Sequence, residues 1–333
     1  MTISAAGNLS PIWPATPDAI RAAADSLRRG RLVAFPTETV YGLGADAENA
    51  TAVRALFAAK GRPADHPVIV HLADAGQMID WATGIPSAAE QLAAAFWPGP
   101  LTMILRRSNR ASDLVTGGLE TVGLRVPSHP IARQLLLEFG KAIAAPSANK
   151  FGHVSPTRAE HVQQEFGDAI GVILDGGDCE VGLESTIVDL SGERPAILRP
   201  GAVTAEEIAA VLGPLAASSI TSPRVSGALA SHYAPQARVE VITPQQLAAR
   251  AEELAAAGMR VAILTRQALR PSANISVIPL PTGDAELARV LYATLRQVDQ
   301  LGCDVALISL PADAGIGAAI ADRLRKAAGP RSA

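Results

Sequence analysis

Two cations lie on a stiff segment between residues 60 and 72. In KGRPADHPVIVHL, Lys60 and Arg62 flank a glycine, and Pro63 and Pro67 prevent a helix from continuing there. The Arg62 guanidinium is a planar fork that suits phosphate, whereas the Lys60 amine is a point charge. Lys60 also ends a predicted helix, where the helix dipole favours a cation without any ligand. The pattern therefore indicates anion binding more strongly for Arg62 than for Lys60.

Other polar side chains occur where apolar runs end. In FPTETVYGLGAD, Thr39 follows a strand-like run, and Gly42 and Gly44 permit a close backbone approach to a ligand. His71 lies within an apolar run, where a histidine is more often a hydrogen-bonded core residue than a ligand. The other polar residues in such places, which also suit ordinary turns and strand ends, are Thr121, Arg125, Ser147, Asn149, Ser155, Ser185 and Arg199. Ligands of open α/β sheets bind where strands end, so we expect these side chains to converge with the two cations on a polyanionic small molecule.

The common nucleotide, zinc and hydrolase fingerprints are absent from the sequence. In FGKA, Ala142 stands where a phosphate-binding loop needs Ser or Thr, and no G-x-G-x-x-G follows a strand. His66 and His71 are five residues apart, a spacing that suits no common zinc site. No G-x-S-x-G or H-E-x-x-H occurs. A bound triphosphate must therefore be held in another way.

Composition limits the possible partners. The 333 residues include 29 basic and 32 acidic side chains, a net charge of −3, and only 4% are aromatic. These values argue against a protein held to nucleic acid or membrane mainly by charge, and against a stacking platform for single strands. Cys179 and Cys303 are far apart and read as reduced thiols. No signal peptide and no apolar run of about 18 residues is found, so we expect a cytoplasmic protein without a membrane span.

Alternating helix and strand patterns predict two α/β domains. Residues 1–213 show seven or eight strand patterns and five helix patterns, which predicts a mixed, twisted sheet with helices. Residues 214–237 have no period and read as a linker, and residues 238–333 predict a smaller Rossmann-like domain. The predicted helix starts, each with a Thr or Ser and most with a Glu three residues later, are Thr16, Ser87, Thr157 and Thr204.

The ordered motifs PTETVYGLGADA, KGRPADHPVIVHL, WPGPLT, LRVP, APSAN, ESTIVDL and LRPG resemble those of the YrdC-like family. The C-terminal extension and SHYAP in the linker resemble the two-domain branch of that family, the threonylcarbamoyl-AMP synthases. The resemblance covers almost the whole chain, from about residue 12 to residue 330. It implies synthesis of L-threonylcarbamoyladenylate from L-threonine, bicarbonate and ATP, with release of pyrophosphate.

The resemblance also implies roles for individual residues. The family's Lys-x-Arg and Ser-x-Asn pairs, taken as catalytic, correspond to Lys60, Arg62, Ser147 and Asn149. The positions implied to bind ATP are Arg62, His66, Thr121, Ala145, Ser147, Ser155, Arg199 and Tyr233. Those implied to bind threonine are Thr39, His71, Arg125 and Ser185. Mg2+ is expected to bind the ATP phosphates rather than protein ligands. The product would pass to a tRNA threonylcarbamoyl transferase complex, with weak or indirect tRNA binding by this chain.

Two other functions fit parts of the pattern. One is a non-catalytic RNA-binding module, against which the net charge and the few aromatics count. The other is carbamoyl transfer through carbamoyl-adenylate, against which the lack of zinc-finger cysteine clusters counts. The linker departs from many relatives because Arg224 is its only cation. We expect it to fold over the nucleotide site as a lid, with Tyr233 near the phosphates.

Overall fold

The computed structural model describes residues 11–217, 222–227 and 231–330. Its larger sheet is mixed and has ten strands in the order β1-β8-β2-β3-β7-β4-β6-β5-β9-β10. These strands are β1 Ile12–Pro14, β2 Val33–Phe35, β3 Gly42–Asp46, β4 Ile69–His71, β5 Leu101–Arg106, β6 Thr121–Arg125, β7 Ile143–Ala144, β8 Ile173–Asp175, β9 Thr186–Asp189 and β10 Ala196–Arg199. The mixed α/β sheet expected for the first part of the chain is confirmed.

Helices cover this sheet, and two of them, each of four residues, have no counterpart among the sequence patterns. The helices are α1 Pro17–Arg28, α2 Ala50–Lys60, α3 Met78–Trp81, α4 Ser87–Phe96, α5 Asp113–Thr116, α6 Pro130–Phe139, α7 Ala159–Phe166 and α8 Ala205–Leu212. Helices α1 and α6 pack together over one part of the sheet, where Leu27, Phe35 and Leu135 share a core. Helices α2 and α7 share a second core around Leu43.

The predicted helix starts are partly wrong. Thr16 caps α1, and Thr204 caps α8 in a capping box, as expected. Helix α4 instead begins one residue earlier than predicted: the extended backbone of Pro86 takes the cap position, and Ser87 is already helical. Helix α7 is preceded by Arg158 at its cap and has no side-chain cap. In both cases the Ser or Thr is displaced by one residue from the position where its oxygen could accept from the first turn.

The glycine-rich segment after β2 was expected to be a loop, but its second half forms strand β3. This strand pairs antiparallel with β2 and β7. A Cβ on Gly44 would lie 2.8 Å from both the Phe35 ring and the Ile143 side chain. The glycine therefore permits close packing across three strands, and it is not explained by a ligand.

The C-terminal part of the chain forms a parallel sheet of four strands in the order β11-β14-β12-β13. Its elements are β11 Arg238–Val241, α9 Leu247–Ala256, β12 Val261–Thr265, β13 Ile275–Pro279, α10 Asp284–Gln300, β14 Val305–Ile308 and α11 Ile316–Ala327. The Rossmann-like prediction is therefore confirmed. None of the described helices is both long and apolar enough to cross a membrane.

The two sheets are joined by a shared apolar core. Val40, Val154 and Leu183 from the first sheet's loops pack in one cluster with Leu287 and Leu291 of α10. The backbone at Gly182 lies very close to α10, because a Cβ added to Gly182 would be only 2.5 Å from the backbone of that helix. The C-terminal domain is thus packed directly on the first domain.

The described part of the linker also packs on the first domain. Val225 is buried in a small cluster with Ile104 and Ile187 of the large sheet. Arg224 donates to the backbone carbonyl of Asp65 and pairs with its carboxylate at 3.3 Å. Residues 222–227 therefore lie along the loop that follows α2.

Candidate active site

A small cavity lies between the large sheet, the loops at its strand ends and the linker. Its volume is about 50 Å3. It brings together nine of the residues that the sequence analysis singled out, namely Thr39, Arg62, His71, Arg125, Ala145, Ser147, Ser185, Arg199 and Tyr233. Segments from residue 37 to residue 233 thus meet at one place, as the expectation of convergence requires.

Two central strands supply the floor of this cavity. Strands β4 and β6 are parallel, and their last residues, His71 and Arg125, are paired in register. Ile69 also lines the cavity, two residues before His71 on the same face of β4. Ser147 follows β7, which is antiparallel to β4, and so enters from the other end. The cavity therefore extends over the face of the sheet, whereas we had expected it at one edge only.

His71 differs from a fully hydrogen-bonded core histidine at one of its ring nitrogens. Its side chain is buried, and its Nδ1 atom has no hydrogen-bond partner among the described residues. Burial, and then the nearby Arg125 charge, lower the pKa of His71 to about 3. The ring is therefore neutral near pH 7, with a nitrogen that can accept or donate one more hydrogen bond.

Arg125 has a carboxylate partner that the sequence analysis missed. Its Nη2 donates to Glu38 Oε1 at 2.6 Å, and both side chains are buried. The other oxygen of Glu38 accepts from the backbone N–H of Ser128 at 3.2 Å. The Nε of Arg125 donates to the carbonyl of Gly99 at 3.3 Å. Glu38 therefore fixes the guanidinium at the cavity wall, with Nη1 outside these bonds.

Arg62 and Arg199 both reach the linker. Arg62 Nη2 donates to the Ser226 hydroxyl at 3.1 Å, and Arg199 Nη1 donates to the Ser226 carbonyl at 3.0 Å. Arg199 also donates to the carbonyl and the hydroxyl of Ser185. Burial lowers the pKa of Arg62 to about 10, so the side chain remains charged near neutral pH. Two buried guanidinium groups thus face one side of the cavity, held by oxygens of the linker turn.

Lys60 occupies a different place. Its side chain is buried, and its amine donates to the backbone carbonyls of Ser147, at 2.5 Å, and of Asn149. Burial, and then the Arg62 charge, hold the Lys60 pKa well below its usual range. The amine therefore fastens the loop after β7 from behind, and it does not line the cavity.

The remaining predicted residues lie around the cavity without lining it. Ser155 donates to Glu184 at 2.5 Å, and the amide of Asn149 donates within its own loop. The His66 ring meets the Phe151 ring edge-on at 5.3 Å between centroids. Thr121 lines a separate space of about 10 Å3 beneath the linker, together with Arg224 and Val225.

Several cavity residues were not predicted from the sequence. They are Val40, Ile69, Pro146, Glu184, Ser226, Gly227 and His232. Glu38, which holds Arg125 at the cavity wall, was not predicted either. The sequence could have indicated Glu38 and Glu184, because each is an acidic residue directly before a stretch of buried residues. Among the described residues, no group of three His, Cys, Asp or Glu side chains could hold a metal ion.

Comparison with known proteins identifies the family to which this chain belongs. A family model for Sua5, YciO and YrdC proteins, described as "Telomere recombination", matches residues 25–201. A second, described as the C-terminal domain of threonylcarbamoyl-AMP synthase, matches residues 203–329. A curated threonylcarbamoyl-AMP synthase from Pyrococcus abyssi is 43% identical over 324 residues, which cover 94% of each chain. Another, from Bacillus subtilis, is 42% identical and covers 94% of this chain and 93% of its own.

A solved structure agrees over the same length. The crystal structure of P. abyssi Sua5 complexed with L-threonine aligns with a TM-score of 0.89 and 40% identity, covering 95% of this chain and 96% of that one. Both family models, both curated relatives and this structure agree on the same two-domain architecture. The chain therefore belongs to the threonylcarbamoyl-AMP synthases, which are nucleotidyltransferase-type enzymes, and it carries both the YrdC-like domain and the C-terminal domain of that family.

Proposed function

We propose that this chain makes L-threonylcarbamoyladenylate from L-threonine, bicarbonate and ATP and releases pyrophosphate. The observation that carries the proposal is the pairing of His71 with Arg125 on the cavity floor, opposite the guanidinium groups of Arg62 and Arg199. A zwitterionic amino acid and a polyanion need these two kinds of surroundings. The related P. abyssi Sua5 has been solved with L-threonine, which supports threonine as the amino acid.

Threonine would bind over strands β4 and β6. Arg125, fixed by Glu38, would pair with the carboxylate through the nitrogen that Glu38 leaves open. The unpartnered Nδ1 of His71 and the hydroxyls of Thr39 and Ser185 would hold the amine and the side-chain hydroxyl. Each of these groups is buried, so a mismatched ligand would leave a polar atom without a partner.

ATP would bind on the side of the linker. Its phosphates would replace the Ser226 oxygens as partners of Arg62 and Arg199, because a charged acceptor forms stronger bonds to guanidinium than a hydroxyl or a carbonyl does. Ser147 and Ala145 would contact the nucleotide from the loop after β7, which Lys60 fastens. A cavity of about 50 Å3 is far too small for ATP, so the linker must move to admit it.

The chemistry would depend mainly on positioning. The threonine amine adds to the carbon of bicarbonate-derived CO2 and loses a proton, which gives a carbamate. A carbamate oxygen then attacks the α-phosphorus, and the bond to the leaving pyrophosphate breaks. Mg2+ held by the ATP phosphates would neutralise the charge of the leaving group. Arg62 and Arg199 would stabilise the same charge, and the buried site would hold the reactants together and exclude water.

The product would pass to a tRNA threonylcarbamoyl transferase complex, which transfers the threonylcarbamoyl group to an adenosine beside the anticodon. We place this reaction in the cytoplasm, where ATP and tRNA meet. Direct tRNA contact by this chain is weak in the proposal, since its net charge is −3.

An assay of pyrophosphate release with each substrate omitted in turn tests the proposal. We expect release only with ATP, L-threonine and bicarbonate together, and without tRNA. Serine should be a poor substrate, because a methyl group in a fitted niche contributes about 1–3 kcal/mol. Equal turnover with serine, or a requirement for tRNA, would contradict the proposal. Release with carbamoyl phosphate in place of threonine and bicarbonate would favour carbamoyl-adenylate chemistry instead.

A further inference from the structure

Glu184 links the cavity to the C-terminal domain. It lines the cavity, yet its carboxylate is bonded away from it. Oε1 accepts from the Ser155 hydroxyl at 2.5 Å. Oε2 accepts from the Tyr292 hydroxyl and from Arg323 Nε, each at 2.8 Å. Tyr292 belongs to α10 and Arg323 to α11, so two C-terminal side chains hold an acidic residue of the first domain.

This contact is buried and charged. The side chain of Arg323 is 0% exposed and that of Glu184 is 7% exposed. Burial alone would raise the pKa of Glu184, but the charges of Arg323 and Arg199 outweigh it and lower that pKa to about 2. A buried ion pair contributes little to stability compared with apolar packing, because both charges lose their hydration. A buried Glu184–Arg323 pair beside a cavity is better explained by its holding these side chains in one fixed arrangement.

The same two C-terminal residues also hold Tyr233 of the linker. The Tyr233 ring stacks on Tyr292 with centroids 5.8 Å apart and an interplanar angle of 25°. The Arg323 guanidinium carbon lies 5.2 Å from the centroid of the Tyr233 ring. Among the described residues, Tyr233 is the one non-glycine with a positive φ, 62°, a conformation that its surroundings must hold in place.

Tyr233 in turn reaches the turn that caps the two guanidinium groups. A Cβ added to Gly227 would lie 2.0 Å from the Tyr233 hydroxyl oxygen and 3.4 Å from Cδ of Arg199. The Tyr233 ring therefore lies against the Ser226–Gly227 turn. The contacts run without a break from α10 and α11, through Tyr233, to the turn bonded by Arg62 and Arg199.

We propose that Tyr292 and Arg323 of the C-terminal domain are positioning residues of the active site, which act through Glu184 and Tyr233 to set the closed position of the linker. The identity of the bound nucleotide rests on the proposed function, but the effect on the linker does not. In this proposal the C-terminal domain controls the position of the linker over the site, in addition to holding the end of the linker.

Limited trypsin cleavage of the full-length protein tests this directly. Arg224 is the one tryptic site in residues 214–237, and Val225 after it is buried, so cleavage there reports opening of the turn. In ligand-free protein, Arg323→Met and Tyr292→Phe should each speed this cleavage roughly tenfold, the scale of coupling between groups in direct contact. Arg325→Met is the matched control, since Arg325 lies on the same helix and pairs only with exposed Asp313.

A double-variant cycle identifies the path of the effect. If Arg323 acts through Glu184, adding Glu184→Gln to Arg323→Met should increase cleavage much less than the product of the single effects. The KM for ATP should rise in the same variants by about the same factor, whereas Arg325→Met leaves both values unchanged.

Two outcomes would overturn the inference. One is a lower melting temperature in Arg323→Met and Tyr292→Phe with an unchanged cleavage rate at Arg224, which would assign the cluster to folding alone. The other is independent, multiplicative effects of Glu184→Gln and Arg323→Met. Tyr292→Phe removes a single hydroxyl, so it keeps the test valid if Arg323→Met does not fold. Cleavage in ligand-free protein is measured without turnover, so a failure of the proposed reaction would remain distinguishable.

Discussion

Lys60 and Arg62 are two residues apart, but they face different surroundings. Arg62 lines the cavity, and its buried Nε has no hydrogen-bond partner in the described part of the chain. Lys60 bonds two backbone carbonyls of the loop that carries Ser147 and Asn149. The sequence alone indicated that Arg62 is the stronger candidate for anion binding. It did not indicate where the Lys60 amine goes, because that contact joins residues 87 positions apart.

The first prediction separates these two side chains. Arg62→Ala should raise the KM for ATP by about 10- to 150-fold, the equivalent of roughly 1.5–3 kcal/mol for hydrogen bonds to a charged group. Lys60→Ala should change the KM for ATP less and lower the melting temperature more, because it leaves two buried carbonyls without a donor. Steady-state kinetics with ATP varied and thermal unfolding of both variants provide the measurement. A larger kinetic effect at Lys60 would refute the ranking.

Glu184 gives a second prediction, for stability against pH. Its pKa in the folded chain is about 2, against an ordinary value of 4.5 for a glutamate carboxyl. Because the pKa of Glu184 is lower in the folded chain than in the unfolded chain, its ionised carboxylate stabilises the fold when the pH is above the unfolded pKa. This stabilisation, about 3 kcal/mol, is lost as the pH falls from about 4.5 towards 2. Glu184→Gln should therefore show a shallower loss of unfolding free energy over this range in urea titrations. His71 also destabilises the fold in acid, because burial lowers its pKa to about 3, but Glu184 does not contribute to that pKa, so the contribution of His71 is the same in the two proteins. Equal slopes would contradict the assignment.

At the scale of elements, periodicity and caps predicted most helices and the mixed sheet, but they failed where packing decides. Strand β3 was missed because its two glycines read as a loop, although they make room for the Phe35 ring. Glu38 and Glu184 were missed because their partners lie far along the chain. Their contacts to Arg125 and Arg323 span 87 and 139 residues. Patterns of neighbouring residues hold no information about pairs so far apart in the sequence. A residue at the end of a predicted strand, such as Arg125, can in contrast be recognised as a cavity residue from the sequence alone.

The linker turn gives a third prediction at this scale. Gly227 has a φ of 79°, and a side chain there would meet the Tyr233 hydroxyl oxygen at 2.0 Å. Gly227→Ala should therefore displace the turn, speed trypsin cleavage after Arg224 and raise the KM for ATP. Gly192→Ala serves as control, because a Cβ at Gly192 meets nothing within 4 Å. Similar kinetics and cleavage for the two variants would show that the turn tolerates a side chain and does not control access.

At the scale of the whole molecule, the two domains form one packed unit around the site. Val40 and Leu183 of the first domain share a core with Leu291 of the second, and Arg296 of α10 bonds Glu165 of α7 at 2.9 Å. Removing the C-terminal domain would expose this core. The function of each part is therefore best measured by substitutions in the full chain, which leave the shared core in place.

The last prediction concerns the linker as a lid over this unit. In the structure the turn at Ser226 and Gly227 covers the two guanidinium groups and leaves about 50 Å3, so ATP can enter only when the turn opens. A turn that closes again over ATP and threonine would gain contacts with them and shield a labile mixed anhydride from water. The ligands would then shift the population of the linker towards the closed state, in proportion to the contacts made only there.

ATP and L-threonine together should therefore slow trypsin cleavage after Arg224. The measurement is the rate of appearance of the two fragments, with tryptic sites outside the linker as an internal reference. Arg62→Ala should lose most of this protection, because Arg62 is the proposed partner of the phosphates over which the turn closes. Cleavage at an unchanged rate in the presence of both ligands would mean that the linker is only a tether. The closed turn would then be a property of the free chain, without a part in catalysis.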